Sequence, residues 1–182
     1  NKADAYGLER ARSAGIPTRA LDHRGFADRA AYDQALIEQI DAFAPDLVLL
    51  AGFMRILTAN FVTHFHGRLL NIHPSLLPKY KGLQTHQRAL DAGDAEAGAS
   101  IHFVTEELDG GPLVLQGRVV IHPDDDADSL ATRVQQQEHR LYPLVVRWFA
   151  SGRLRLINGL ASLDGAPIPS GGLRLETIES SM

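Results

Sequence analysis

Two hydrophobic rhythms alternate along this chain. Leu47-Val48-Leu49-Leu50-Ala51 is a continuous apolar run, as expected of a parallel strand buried on both faces. Residues 27–43 instead place Ala31, Leu36, Ile40 and Phe43 at roughly helical spacing and stop before Pro45. The same reading predicts a helix over 4–14, capped by Asp4 and stopped by Gly15, then a short strand over 18–21. Thr58 begins a short helix, and residues 69–73 form the next strand. Thr85 caps a helix that Gly93 ends, and strands follow over 99–105 and 113–121. A long amphipathic helix is expected over 128–150, with Leu130, Val134, Leu141, Leu144, Val145 and Trp148 inward. Residues 154–168 read as a hairpin turning at Asp164-Gly165, and the polar stretch 169–182 as a loosely held tail. Strands alternating with helices predict an α/β fold: one domain over 1–168, with a mostly parallel sheet flanked by helices and a C-terminal hairpin.

The strand over 69–73 carries the chemistry. Asn71 and His73 are two apart, so they project from the same face. Pro74 has no N–H to continue a central ladder and closes the strand there. Ligands of open α/β sheets bind beyond the carboxyl ends of the strands, which is where this amide and imidazole are delivered. The ordinary alternative is a turn-capping Asn beside a surface His, and alone the two readings are evenly matched.

Asp109, in Leu108-Asp109-Gly110-Gly111-Pro112, is by itself ordinary turn chemistry. Placed near His73, its carboxylate would favour the cationic imidazole. Asn71 and an imidazolium are then donors suited to a developing oxyanion. No Ser, Cys or Lys is evidently paired with His73 as a nucleophile, which favours direct attack by one substrate on another. The loop Lys79-Tyr80-Lys81-Gly82 holds two of the three lysines, either as a basic lid over an anion or as a solvated loop. His64 and His66 do not share a helix face, so metal binding is disfavoured. His102, within a strand, reads as a satisfied core histidine unless its face turns toward the cleft.

Composition narrows the class. The 182 residues are 45% hydrophobic, enough for one well-buried domain. A formal charge of −4 offers no basic surface for nucleic acid or membrane. The absence of cysteine excludes disulfides, thiol nucleophiles and zinc–thiolate sites, and fits a reducing cytoplasm. No run approaches the ~18 apolar residues of a membrane span.

Asn71-Ile72-His73-Pro74-Ser75-Leu76-Leu77-Pro78-Lys79-Tyr80, followed by Leu108-Asp109-Gly110-Gly111-Pro112, resembles the phosphoribosylglycinamide formyltransferases, folate-dependent enzymes of purine synthesis. The likeness includes Ala51-Gly52-Phe53-Met54-Arg55-Ile56-Leu57 and Arg133-Val134-Gln135-Gln136-Gln137-Glu138-His139. It implies a Rossmann-type formyltransferase fold, with 10-formyltetrahydrofolate as co-substrate and no metal. The partners implied are glycinamide ribonucleotide and formyl folate, with no nucleic acid or membrane, for a cytoplasmic monomer or homodimer.

The resemblance also implies roles. Asn71, His73 and Asp109 match the catalytic trio. Arg29, Met54, Arg55, Ile56, Leu57, Asn71, Thr105, Glu106, Glu107, Leu108 and Asp109 match the folate site. Gln135, Gln136, Gln137 and Glu138 match contacts to the ribonucleotide. The family's first strand and its Gly-Ser-Asn phosphate turn have no match, so about 30 residues, one βαβ unit's worth, are expected ahead of Asn1. Rival readings are a formyltetrahydrofolate deformylase, an aminoacyl-tRNA formyltransferase, and a catalytically dead nucleotide-binding module.

Overall fold

The computed structural model describes residues 1–179 and resolves into two compact units. The first comprises residues 1–45 and 57–64. It holds α1 (Tyr6–Ser13), a single 3-10 turn (His23–Gly25), α2 (Arg29–Asp41) and α3 (Ala59–His64). Asp28 caps α2 by accepting from the Ala31 N–H at 2.8 Å. The buried Asp33 carboxylate accepts from the Thr58 N–H at 2.7 Å and so fixes the start of α3 against α2. Two local expectations fail here. Ala5, not Asp4, precedes α1, and among the described residues no side chain caps it. Residues 18–21 form no strand, because so short a run needs a neighbour's ladder and none is present among the described residues.

The second unit carries the sheet. β1 (Val48–Leu50), β2 (Leu69–His73), β3 (Glu96–Phe103), β4 (Leu113–Val120) and β8 (Leu173–Arg174) lie side by side in the order β1-β2-β3-β4-β8. β1 is parallel to β2 and β4 to β8, while β3 is antiparallel to both its neighbours. Four strands therefore run one way and β3 alone runs the other. α4 (Thr85–Asp91) lies between β2 and β3 in the chain, and α5 (Ala127–Ala150) follows β4. Asp126 and Ser129 form a reciprocal capping box that starts α5.

The apolar stripe of α5, from Leu130 through Val134, Leu141 and Val145 to Trp148, joins Leu70, Ile72, Ile101, Phe103 and Leu115 of the sheet in one core. That is the face the helical spacing predicts. Among the described residues no helix is long and apolar enough to cross a membrane.

The C-terminal part is a meander of β5 (Leu154–Ile157), β6 (Leu160–Leu163) and β7 (Ala166–Pro167). The turn at Asp164-Gly165 is joined by a second at Asn158-Gly159, and all four residues have positive φ. Asn-Gly and Asp-Gly suit such two-residue turns because both central positions need that conformation. The stretch expected to be loosely held is tied down in part. β8 pairs with β4, and Leu175, which opens α6 (Leu175–Glu179), is buried. The alternation of Leu173 and Leu175 with polar residues is too short to read as structure without that partner strand. Residues 180–182 of the stretch lie outside the described residues.

β3 and β4 approach so closely at Gly98 that an added Cβ would lie 2.1 Å from the Gly117 carbonyl oxygen and 2.7 Å from Leu76 Cδ2. The obstructing oxygen belongs to a paired strand and cannot swing aside. Gly98→Ala is expected to cost about 1–3 kcal/mol, as overpacking does. Urea denaturation checks this, and an unchanged midpoint would show that the two strands have room to part.

Candidate active site

β2 ends with Asn71 and His73 on one face, and Pro74 follows. His73 is 6% exposed. Its Nε2 donates to the Tyr80 carbonyl oxygen at 2.9 Å, and its Nδ1 lies 3.4 Å from Asp109 Oδ2. Both ring nitrogens thus face acceptors, an arrangement that a doubly protonated ring satisfies in full. Asp109 sits in the turn between β3 and β4 at φ 48°, in the left-handed region that Asp tolerates better than most residues. The Gly82 N–H donates to the same Oδ2 at 2.9 Å, holding the carboxylate toward the ring.

Asn71 pairs across the ladder with His102, and their side chains meet, Nδ2 to Nε2, at 3.2 Å. His102 Nδ1 donates to the Phe103 carbonyl at 2.9 Å, and Asp109 Oδ1 lies 3.7 Å from Nε2. Burial pushes the His102 pKa down, against the opposing pull of the Phe103 carbonyl and Asp109. Burial also lowers that of His86, with the nearby His73 acting in the same direction. Among the described residues His86 Nδ1 is buried with no hydrogen-bond partner.

A buried polar network fixes the loop after β2. Ser100 Oγ donates to the Ser75 carbonyl at 2.6 Å. It accepts from the Leu77 N–H at 3.1 Å and from Gln116 Nε2 at 2.8 Å. Gln116 Nε2 also donates to the Leu77 carbonyl at 2.9 Å. The lysines of the predicted basic lid each have a carboxylate. Lys79 Nζ pairs with Asp94 at 2.8 Å and Lys81 Nζ with Glu107 at 2.6 Å. The Tyr80 hydroxyl donates to Asp94 at 2.8 Å as well, so Tyr80 is held from its own far end.

The other predicted positions differ in setting. Met54, Ile56 and Leu108 are large apolar side chains left exposed in the sheet unit. Arg55 and Thr105 are half-buried there, and Glu106 is exposed. Arg29, exposed in the first turn of α2, and Leu57 belong to the helical unit. Gln135 and Gln136 point outward from α5, whereas Gln137 and Glu138 are half-buried. Burial pushes the Glu138 carboxyl up from its ordinary value. One turn further on, the Tyr142 hydroxyl reaches the Leu50 carbonyl at 2.7 Å. Among the described residues no group of three or more His, Asp or Glu side chains is arranged to hold a metal ion.

A family model described as formyl transferase matches residues 1–146. The chain is 59% identical to the phosphoribosylglycinamide formyltransferase of Escherichia coli K12 over 172 residues, 94% of this chain and 81% of that one. It is 51% identical, over the same shares, to the enzyme of that name from Haemophilus influenzae. The solved phosphoribosylglycinamide formyltransferase of Coxiella burnetii superposes with a TM-score of 0.91 at 51% identity, covering 95% of this chain and 82% of that one. The chain belongs to the phosphoribosylglycinamide formyltransferase family.

Strand alternation alone reads His102 as a core residue unless its face turns toward the cleft. What brings it to Asn71 is the antiparallel register of β3 against β2. No single sequence displays that register. Tyr80 and Gly82 act through backbone atoms, which residue identity does not reveal either.

Glu138 generates a stability prediction. Because its carboxyl titrates higher in the folded chain, the native state binds this proton more tightly than the unfolded chain does. Ionising it above that raised value costs the fold stability. Glu138→Gln is expected to be more stable than the parent at neutral pH. The gain should be below about 1 kcal/mol once solvent screening is allowed for. It should fade as pH falls through the raised value toward the ordinary 4.5, where both side chains are neutral. Melting temperatures measured across that range check this; a difference independent of pH would exclude the carboxyl as its source.

Proposed function

We propose that this chain transfers a formyl group from 10-formyltetrahydrofolate to the amine of glycinamide ribonucleotide, a step of purine synthesis. One observation carries the reading: in a chain of this family, the half-buried Asn71 and Asp109 gather with the buried His73 at the carboxyl end of β2.

The neutral amine attacks the formyl carbon, forming the new C–N bond while the formyl oxygen takes up negative charge. Asn71 supplies an amide N–H to that oxyanion. His73 supplies a positive charge one same-face step away, about 7 Å along the strand. Its Nε2–H is held by the Tyr80 carbonyl, so direct donation to the oxyanion requires exchanging that acceptor for the substrate oxygen. Asp109, facing Nδ1 of the ring, relays through water the proton lost by the amine to the folate nitrogen as the old C–N bond breaks. The products are the formylated ribonucleotide and tetrahydrofolate. No enzyme nucleophile enters the balance.

The formyl folate is assigned to Met54, Arg55, Ile56 and Leu57, to Thr105, Glu106, Glu107, Leu108 and Asp109, and to Asn71, with Arg29 for the folate's carboxylates. The exposure of Met54, Ile56 and Leu108 supports this, because flat apolar ligands need such walls. Gln135, Gln136, Gln137 and Glu138 are assigned to the ribonucleotide. A single formyltransferase domain over 1–168, small-molecule partners, a cytoplasmic location and a monomeric or homodimeric state complete the proposal.

The test is a formyl-transfer assay offering glycinamide ribonucleotide, water and aminoacyl-tRNA as acceptors. Transfer to the ribonucleotide alone is expected. Asn71→Ala and His73→Ala should each lower turnover by about 10²–10³-fold, the usual effect of losing a preorganised oxyanion group. Preferential hydrolysis of the formyl folate would make the chain a deformylase. Arg29→Ala should weaken folate binding more than ribonucleotide binding in titration calorimetry, and equal losses would count against its assignment.

A further inference from the structure

His102 has a defined tautomer. Its Nδ1 lies 2.9 Å from the Phe103 carbonyl, which only accepts, so Nδ1 carries a hydrogen. Its Nε2 lies 3.2 Å from Asn71 Nδ2, which only donates, so Nε2 offers a lone pair. The two contacts together require a neutral ring. Its surroundings agree: the residue is 2% exposed, and burial, with His73 and Lys81 acting in the same direction, outweighs the opposing pull of the Phe103 carbonyl and Asp109.

Were the ring cationic, Nε2–H would face Asn71, whose amide would then have to turn its oxygen there. Ring protonation and amide orientation are therefore one variable. Asn71 cannot settle that orientation unaided, because the terminal torsion of an Asn side chain is broad and roughly two-fold. Its carboxamide has no other partner among the described residues.

We propose that His102 is a positioning residue for formyl transfer: its neutral ring accepts one hydrogen of the Asn71 amide and so presents the second N–H of the same nitrogen to the developing oxyanion. This rests on the assignment of Asn71 as an oxyanion donor. A donor aimed in advance needs no reorganisation when charge appears, and its benefit is realised in the transition state rather than in ground-state binding. The effect of His102 should therefore fall on turnover.

Three measurements on the full chain test this. Nitrogen NMR of the histidine-labelled protein at the assay pH should show His102 with a protonated Nδ1 and an unprotonated Nε2. A ring protonated at Nε2 overturns the proposal, and this readout needs no variant to fold. His102→Leu, which removes the acceptor, should lower kcat by about 10–10²-fold and leave KM for both substrates little changed. His102→Gln, whose Oε1 reaches the place of Nε2, should recover most of that loss. A Leu variant with parental kcat, or a Gln variant no better than Leu, overturns the proposal. Asn71→Ala separates the two layers. If it keeps full turnover, the oxyanion assignment itself fails. If it loses turnover while His102→Leu does not, only the positioning role fails.

Discussion

The antiparallel pairing of β2 with β3 is the constraint on which this site depends. It sets Asn71 opposite His102 and His73 opposite Ser100. One pair aims an amide; the other anchors the loop that leaves β2, because Ser100 holds Ser75 and Leu77. A slip of one residue would turn every side chain of the strand to the other face. The register is held by what the strands bury, with Leu70, Ile72, Ile101 and Phe103 in the core, and by the close approach of β3 to β4 at Gly98.

The core also offsets what the site costs. His73, His102 and Asp109 are nearly sealed from water, Asp109 holds a left-handed backbone, and Glu138 is half-buried with a raised pKa. Buried polar groups persist only where partners answer them, and here most partners are backbone: the Tyr80 and Phe103 carbonyls and the Gly82 N–H. Backbone atoms belong to chain that is itself pinned. Tyr80 is held through its hydroxyl by Asp94, and Phe103 lies in the β3 ladder. The charges of the site are therefore placed by the scaffold rather than by flexible side chains, as preorganised electrostatic catalysis needs.

Two histidines 29 positions apart in the chain end in opposite roles. His73 faces an acceptor at each ring nitrogen and is suited to carry charge; His102 faces an acceptor at Nδ1 but at Nε2 has the Asn71 amide nearer than the Asp109 carboxylate, and is suited to stay neutral. The difference lies in their partners, since both are buried. Environment assigns the work that composition leaves open.

By itself the sequence determined the parts whose causes are local. The strand within 47–51, the helical stripe from Leu130 to Trp148 and the stop at Pro74 follow from period and from proline's missing N–H. So does the projection of Asn71 and His73 from one face. The words around them were specific enough to carry the family. The expected burial of the strand within 47–51 on both faces does not hold, since β1 ends the sheet order and Leu49 is exposed. What required the tertiary structure was everything that depends on a neighbour. Residues 18–21 lack a partner strand, while 173–174 gain one in β4. Asp109 becomes more than a turn residue because the β3–β4 connection returns it to the end of β2. His102 leaves the ranks of core histidines because β3 runs against β2 in one register rather than another. Pairing between strands is a long-range choice made by packing, and no run of residues contains it.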